Sequence, residues 1–291
     1  MIPCEFEYHA PQTLPDAIAL LTQFGDDAKL LAGGHSLLPM MKLRFARPRH
    51  LIDLGHIAEL KGIREDGGTL VIGAMTSENE IIWSRLLQEK CPLLVEGARQ
   101  ISDPQVRYKG TVGGDICHAD PGNDHPALMM ALGASFVLRG AGGERVVAAE
   151  GFFLGMYATS MKPDEVMTQI RIPAPRSGSG HCYAKLKRKT GDFAAAASAV
   201  QLRLAANRVE DVRITLTNAG ATPLRATKAE DAVRGKQLDA RLIAEAARLA
   251  MGICSPSADQ RGDGEYKTAM AGEMTVRALS TARDRAASAA R

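Results

Sequence analysis

The alternation of apolar and polar positions predicts short strands and helices in turn along the first 173 residues. Apolar residues either recur at helical spacing or crowd into short runs typical of buried strands. We predict helices over residues 15–24, 37–45 and 78–87, strands over 28–31, 51–54, 69–73 and 170–173, a helix leading into a strand over 126–138, and a turn at 140–143. We assign these elements to two units, residues 1–55 and 56–176.

A stretch rich in helix and strand breakers, residues 173–180, separates these units from the rest of the chain. In the remainder, strands come first and helices follow. We predict strands over 181–187, 195–204 and 209–216, then helices over 228–234, 240–251 and 265–290. This order is typical of an α+β layer with the helices on one face of a sheet. We therefore expect an α+β protein whose third unit spans residues 177–291.

Two glycine pairs are the strongest candidates for a binding site. They lie in Ala32-Gly33-Gly34-His35-Ser36 and in Thr111-Val112-Gly113-Gly114-Asp115, each predicted to join a strand to a helix. Glycine lets a phosphate approach backbone N–H groups, and the N–H groups and dipole of a helix start favour an anion. Ser36 can add its hydroxyl as an N-cap or as a donor to phosphate. Each pair alone is more typical of a structural turn, whereas two together favour a diphosphate held from both sides.

The motifs do not support several other kinds of site. Neither glycine pair has the G-x-G-x-x-G spacing of a Rossmann domain or the end of a Walker A loop. No G-x-S-x-G motif of a serine hydrolase occurs. His118 and His125 flank Asp120 and Asp124, but their spacing is not that of metal ligands, so we expect no metal site. The cysteines are too scattered for an iron–sulfur cluster on this chain: they are residues 4, 91, 117, 182 and 254.

Composition is that of a globular protein able to bury two or three cores. The chain has 291 residues, 45% of them apolar, and a net charge of +3. It has no basic stripe with interleaved aromatic residues, so we do not expect nucleic-acid binding. No apolar run approaches the roughly 20 residues of a membrane-spanning helix. An odd number of cysteines and no recognisable signal sequence favour reduced thiols and a cytoplasmic location.

Three long motifs resemble the medium, FAD-binding subunit of molybdenum hydroxylases. The motifs are AGGHSLLPMMKLR (32–44), DPQVR (103–107) leading into TVGGD (111–115), and DPGNDHP (120–126). The likeness continues to the segment 261–272 and so covers nearly the whole chain. It implies a flavoprotein fold of the vanillyl-alcohol-oxidase type. In that fold, two α/β subdomains bind FAD and precede a C-terminal domain of antiparallel sheet and helices.

The resemblance also implies roles for individual residues. Both glycine pairs would bind the FAD diphosphate. Asp124 matches an acid that contacts the sugar-alcohol portion of FAD, with an Asx-turn or helix-cap residue as the alternative. Lys185 matches a lysine near the flavin, as against a solvated basic strand edge. Phe193 falls where the family has an aromatic residue, normally Tyr or Trp, over the isoalloxazine face; a core residue is the alternative. Met161 falls where the backbone lies near the pyrimidine end of the flavin.

The family resemblance implies that substrate is oxidised on another chain. A large subunit holds the molybdenum cofactor and a small subunit carries two 2Fe–2S clusters. This chain would receive their electrons on FAD and pass them to an external acceptor such as a quinone, with no catalytic side chain of its own. We expect a dimer of heterotrimers that can reach the inner face of the membrane through its partners. Hydroxylases of N-heterocycles or aldehydes, an autonomous flavin oxidase and a cofactor-free scaffold subunit stay open as alternatives.

Overall fold

A computed structural model describes residues 1–174 and 178–289 of the chain. Three main sheets follow one another along the sequence, within residues 7–53, 63–173 and 179–225. Part of the predicted linker 173–180, including the proposed boundary at 176/177, lies outside the described residues. Ala290, at the end of the last predicted helix, also lies outside them. The division into three units stays a prediction.

The first sheet is parallel and carries two helices. Its elements are β1 (Glu7–His9), α1 (Leu14–Phe24), β2 (Ala28–Leu31), α2 (Leu37–Lys42) and β3 (His50–Asp53). The strand order is β1-β3-β2, so β3 is central. Thr13 begins α1, because its hydroxyl oxygen accepts a hydrogen bond from the N–H of Asp16 at 3.3 Å and Pro15 follows in the first turn. The first glycine pair lies between β2 and α2, at the carboxyl end of β2.

The second sheet is antiparallel and is covered by a run of short helices. Its elements are β4 (Ile63–Asp66), β5 (Thr69–Gly73), α3 (Glu78–Trp83), α4 (Arg85–Lys90), α5 (Pro92–Ala98), α6 (Pro104–Lys109), α7 (Val112–His118), α8 (Asp124–Ala131), β6 (Ser135–Gly140), β7 (Gly143–Ala148), β8 (Phe153–Gly155), β9 (Ala158–Thr159) and β10 (Val166–Pro173). The strand order is β4-β5-β10-β6-β7, with β8 and β9 paired separately. The core combines residues of sheet and helices, among them Ile72, Phe136, Ile170, Leu94 and Leu128.

The third sheet is also antiparallel and is followed by helices. Its elements are β11 (Ser179–Leu186), β12 (Ala196–Ala205), β13 (Arg208–Thr217), β14 (Leu224–Arg225), α9 (Thr227–Val233), α10 (Ala240–Met251) and α11 (Gly264–Ala289). Gly180 lets α11 lie directly on β11, since a Cβ at this position would overlap the backbone of Ala282. Tyr183 and Ala197 belong to the core of the second sheet, so the second and third sheets share apolar packing. The expected α+β class is confirmed.

Two predicted helices end earlier than expected. The helix predicted over 78–87 is broken into α3 and α4 at Ser84, whose hydroxyl oxygen accepts from the N–H of Leu87 at 3.3 Å and so starts a new helix. Helix α2 stops at Lys42 rather than at residue 45. Arg44 takes a left-handed conformation with φ 63°, and the N–H of Phe45 turns back to the carbonyl of Met40 at 2.9 Å.

Candidate functional site

The two glycine pairs, which are 80 residues apart in sequence, lie against each other. A Cβ on Gly33 would overlap the carbonyl oxygen of Lys109 and would lie 2.8 Å from Cα of Gly110. A Cβ on Gly114 would lie 3.3 Å from the Cβ of Ala32. Glycine at these positions lets two backbone segments meet with no side chain between them. The structure therefore brings the two predicted segments to one place.

The first glycine segment presents a row of unpaired donors. Within residues 1–174 and 178–289, no protein atom accepts a hydrogen bond from the backbone N–H groups of Gly33, Gly34, His35 or Ser36. Gly34 has a left-handed φ of 77°, which glycine adopts without strain. Ser36 stands at the N-cap of α2, but its hydroxyl makes no capping hydrogen bond. Consecutive free N–H groups beside a free hydroxyl are the donors that a diphosphate needs.

The second glycine pair differs from the prediction, since it forms the first turn of α7 and follows helix α6 rather than a strand. Thr111 is the N-cap, and its Oγ1 accepts from the N–H of Gly114 at 3.2 Å. The N–H groups of Val112 and Gly113 donate to carbonyl groups of segment 74–76 at 3.0 and 2.9 Å. These amides are used within the protein. This pair therefore contributes close packing, and the free amides belong to the first segment.

A buried ion pair lies at the start of α8, directly after the turn 120–123 that follows α7. The Asp124 carboxylate accepts from the hydroxyl of Tyr183 at 2.5 Å and from Nζ of Lys185 at 2.7 Å. The side chains of Asp124 and Lys185 are 6% and 1% exposed, so the interpretation of Lys185 as a solvated strand edge is wrong. Asn123, not Asp124, occupies the N-cap of α8. Burial and the Asp124 carboxylate raise the pKa of Tyr183 well above its usual value, which keeps the phenol protonated as a donor.

A second buried pair joins α3 to α8 beside it. Nε2 of His125 lies 2.8 Å from Oε2 of Glu78, and both side chains are almost fully buried. Burial lowers the pKa of His125, but the carboxylates of Glu78, Asp115 and Asp124 outweigh it and raise the pKa to about 9. Burial raises the pKa of Asp115 to about 7, although the His125 charge opposes this. Oδ2 of Asp115 and Nδ1 of His125 are buried and have no hydrogen-bond partner among the described residues. Two polar atoms next to the glycine pairs can therefore still form a hydrogen bond.

The two histidines that flank this turn in the sequence have different surroundings. The His118 ring lies 5.1 Å from the ring of Tyr157, whereas His125 is paired with Glu78. Burial lowers the pKa of His118, against the attraction of Asp120. Neither histidine belongs to a group with metal-ligand spacing among the described residues.

Phe193 lies beside the same turn and is 44% exposed, so its interpretation as a core residue is wrong. A Cβ on Gly122 would lie 3.4 Å from the Phe193 ring. The guanidinium carbon of Arg261 lies 5.2 Å from the ring centroid, and Arg261 is held by an ion pair with Asp192 at 2.8 Å. Burial opposes the charge of Asp192, but hydrogen bonds from Arg261 and Arg188 lower its pKa. The exposed ring offers a stacking surface next to the turn.

Met161 contacts α7 through Cys117. Its sulfur is 3.5 Å from Sγ of Cys117, and its N–H donates to Oγ1 of Thr159 at 3.3 Å. The N–H of Met161 is thereby used, whereas none of the described residues donates a hydrogen bond to its carbonyl oxygen. Each predicted site residue outside the two glycine segments thus lies in, or is next to, α7, α8 or the turn 120–123.

The sequence reasoning missed three groups of this site. Tyr183 shares one face of β11 with Lys185, two residues away, so strand alternation was the signal that could have found it. The His125–Glu78 pair joins residues 47 apart, and Arg261 reaches Asp192 over 69 residues. Spacing along the chain gives no signal for contacts of this kind.

Comparison with known proteins places these features in a family. Residues 4–175, more than half of the chain, match the FAD binding domain in molybdopterin dehydrogenase. The chain belongs to this FAD-binding family. Residues 181–282 match the CO dehydrogenase flavoprotein C-terminal domain. The resemblance read from the motifs is confirmed, and FAD is the cofactor of this family member. When bound, FAD supplies the redox chemistry, and the protein supplies binding and orientation.

Relatives of this flavoprotein match over nearly their whole length. The carbon monoxide dehydrogenase medium chain of Hydrogenophaga pseudoflava is 57% identical over 97% of this chain and 98% of the relative. The glyceraldehyde dehydrogenase medium chain of Sulfolobus acidocaldarius is 34% identical over 96% of this chain and 99% of the relative. A solved structure of carbon monoxide dehydrogenase from H. pseudoflava, lacking the Mo-pyranopterin moiety of its molybdenum cofactor, superimposes with a TM-score of 0.97 at 58% identity, covering 98% and 99% of the two chains.

Proposed function

We propose that this chain is the FAD-binding, electron-transferring medium subunit of a carbon monoxide dehydrogenase. The identity of 57% with a carbon monoxide dehydrogenase medium chain, against 34% with a glyceraldehyde dehydrogenase medium chain, carries this choice. The row of free amides at Gly33 to Ser36 supports the FAD site itself. Electrons would arrive from the iron–sulfur clusters of a partner and leave for an external acceptor such as a quinone.

The residues divide the work of holding FAD. The amides of Gly33, Gly34 and His35, with the amide and hydroxyl of Ser36, bind the diphosphate. The first glycine segment packs against a second group of residues, which holds it in position. This group consists of Ala32, Thr111, Val112, Gly113, Gly114 and Asp115. Beyond the diphosphate, the paired Asp124 and Lys185 are the polar groups for the sugar-alcohol portion.

The flavin ring is proposed to lie between Phe193 and the backbone of Met161. Stacking on Phe193 uses the exposed ring, and the Met161 carbonyl oxygen accepts from the pyrimidine end. Arg261 places a positive charge beside this ring position, at 5.2 Å from the Phe193 centroid.

The partners we propose are a large subunit with the molybdenum cofactor and a small subunit with two 2Fe–2S clusters, assembled as a dimer of heterotrimers. Exposed apolar side chains next to the first glycine segment support a subunit contact there: Leu38, Leu43 and Phe45 are 37%, 49% and 79% exposed. The described part of the chain contains no helix with the length and apolarity needed to cross a bilayer. Any association with the inner face of a membrane would go through the assembly.

The alternatives differ in where substrate binds. A hydroxylase of N-heterocycles or aldehydes would use the same medium subunit, since the substrate lies on the large chain. An autonomous flavin oxidase needs a free base beside the flavin, and His125 is instead locked into its pair with Glu78. A cofactor-free scaffold subunit would not require the unpaired backbone N–H groups of the first glycine segment.

Purification through a tag on this chain tests the proposal. We expect two co-purifying subunits, absorption of flavin and iron–sulfur clusters, and dye reduction driven by carbon monoxide but not by an N-heterocycle or aldehyde. The same absorption spectrum, with activity only on one of those organic substrates, would instead assign the subunit to a hydroxylase of N-heterocycles or aldehydes. A colourless preparation would contradict the FAD assignment, and organic-substrate turnover by the isolated chain would favour the oxidase.

A further inference from the structure

Two histidines and a glutamate converge on one face of the first sheet. Glu7 and His9 lie two residues apart on β1 and therefore point to the same face of the sheet. The parallel register pairs Glu7 with His50, the first residue of the central strand β3, so His50 joins them on that face. His50 pairs with Ala28 at the amino end of β2, whereas the first glycine segment follows the carboxyl end of that strand.

The three ligand atoms of this triad lie close enough together to bind a single metal ion. Nε2 of His9 lies 3.1 Å from Nδ1 of His50, and Oε2 of Glu7 lies 3.5 Å from His50 Nδ1 and 3.9 Å from His9 Nε2. Zinc binds imidazole nitrogen and carboxylate oxygen at about 2.0–2.2 Å in tetrahedral geometry, which separates ligand atoms by roughly 3.3 Å. The separation between the two histidine nitrogens, 3.1 Å, is already close to that value. Small movements of the Glu7 side chain, which is 73% exposed, bring its two separations to that value.

The ring of Phe24 packs against both imidazole rings and restricts their movement. The ring of Phe24 stacks on His50 with centroids 3.7 Å apart and an angle of 9° between planes, and on His9 at 5.1 Å. The His9 and His50 side chains are only 23% and 16% exposed. Fixed rings reduce the ordering that a metal ion would otherwise have to impose. The exposed carboxylate side leaves room for water as a further ligand.

We propose that Glu7, His9 and His50 form a binding site for a divalent transition-metal ion of the zinc type. Two imidazoles and one carboxylate are a ligand set that zinc, cobalt and nickel accept, and calcium and magnesium do not favour. The ion would tie β1, which has only three residues, to the central strand β3. The spacing rules applied to the sequence did not find it, because His50 is 41 residues from His9.

Titration of the purified full chain, without a histidine tag and in metal-free buffer, tests the site. We expect one equivalent of Zn²⁺ to bind by calorimetry, Co²⁺ to give the visible absorption of a low-coordinate site, and Zn²⁺ to raise the unfolding temperature. Glu7→Gln and His9→Gln should each weaken binding by at least ~10-fold, the loss typical of removing even an outer-shell group. His56→Gln, which removes an exposed histidine outside the triad, is the matched control and should bind as the parent does.

Three results would overturn the site. They are the absence of stoichiometric binding, binding retained by both ligand variants, and equal loss in His56→Gln. A metal-free hydrogen bond between His9 and His50 would give the first of these. FAD content is measured in the same samples and should not change in the triad variants, because the hydrogen bond and ion pairs of the triad side chains stay within the triad. Failure of the metal site is thereby distinguished from failure of the flavin assignment.

Discussion

Replacing Gly33 with alanine separates the two backbone segments that the FAD site depends on. The added Cβ would overlap the carbonyl oxygen of Lys109 and would lie 2.8 Å from Cα of Gly110. Carbon atoms pack best at about 3.5–4.0 Å, so the two segments must move apart by roughly 1 Å. Alanine itself is compatible with the backbone here, because the φ of Gly33 is not in the left-handed region. The variant therefore isolates the steric effect.

The size of the effect follows from the packing. Overfilling a close contact costs about 1–3 kcal/mol. A shift of roughly 1 Å also takes hydrogen bonds of about 2.9 Å beyond hydrogen-bonding distance. If the cost falls on the bound state, FAD affinity decreases by about 5- to 150-fold. We expect the free energy of unfolding without FAD to change less, because the first glycine segment can relax when no diphosphate holds it.

Flavin-fluorescence titration of the apoprotein gives the dissociation constant, and thermal unfolding with and without FAD gives the stabilisation by the cofactor. Gly142→Ala is the matched control, since a Cβ there meets nothing within 4 Å and the residue lies in the β6–β7 turn. It should bind FAD as the parent does. An unchanged dissociation constant in Gly33→Ala would refute the argument that contact between the two glycine segments shapes the FAD site.

Three further variants test the rest of the site. His125→Gln leaves Glu78 buried without its cation and should lower the free energy of unfolding by about 3–5 kcal/mol. In the parent, this free energy should fall by about 3 kcal/mol from pH 6.5 to 9, because folded His125 with its pKa raised to about 9 keeps a proton that the unfolded chain loses. Lys185→Met should lower the free energy of unfolding by about 3–5 kcal/mol, because it leaves the buried Asp124 carboxylate without its cation. Phe193→Ala should weaken FAD binding by about 2- to 12-fold with little change in stability, because the ring is exposed.

Denaturant unfolding across pH, and FAD titration at one pH, measure these effects. The parent's decline in stability from pH 6.5 to 9 should become clearly smaller in His125→Gln, where Asp115, with its pKa raised to about 7, still contributes to it. An unchanged decline would assign the titration to another group. Asp124→Asn added to Lys185→Met should recover part of the lost stability, because the stranded charge is removed; purely additive losses would argue against a coupled pair. A large loss of stability in Phe193→Ala would show that the Phe193 ring contributes to the packed core, and would contradict its proposed role.

The sequence predicted the elements that carry their own local signals. Helix α10 was predicted with its observed bounds, 240–251, since apolar residues at helical spacing follow Asp239, whose carboxylate accepts from the N–H of Leu242 at 2.7 Å. Strand β5 was predicted equally well from a short apolar run. The break at Ser84 was missed, although a serine can begin a new helix with the bond that it makes to Leu87.

The two glycine pairs, predicted for the same reason, differ in their surroundings. Free access of phosphate to the backbone fits Gly34 and its neighbours in the first segment. At Gly113, the missing Cβ instead makes room for Ala74, whose Cβ would lie 2.6 Å from it. Contacts between distant segments decide such positions, and no local pattern contains them. The same holds for the burial of Lys185, which was set by Asp124 from 61 residues away.

We propose that electrons leave the assembly through FAD on this chain, and removal of the flavin tests this role. Carbon monoxide is added without oxygen to the purified assembly, to the assembly stripped of FAD, and to the stripped assembly resupplied with FAD, while cluster absorption and acceptor reduction are recorded. The account predicts that stripping leaves the iron–sulfur clusters reducible by carbon monoxide, abolishes acceptor reduction, and is reversed by FAD. Acceptor reduction at the full rate in the stripped assembly would contradict it.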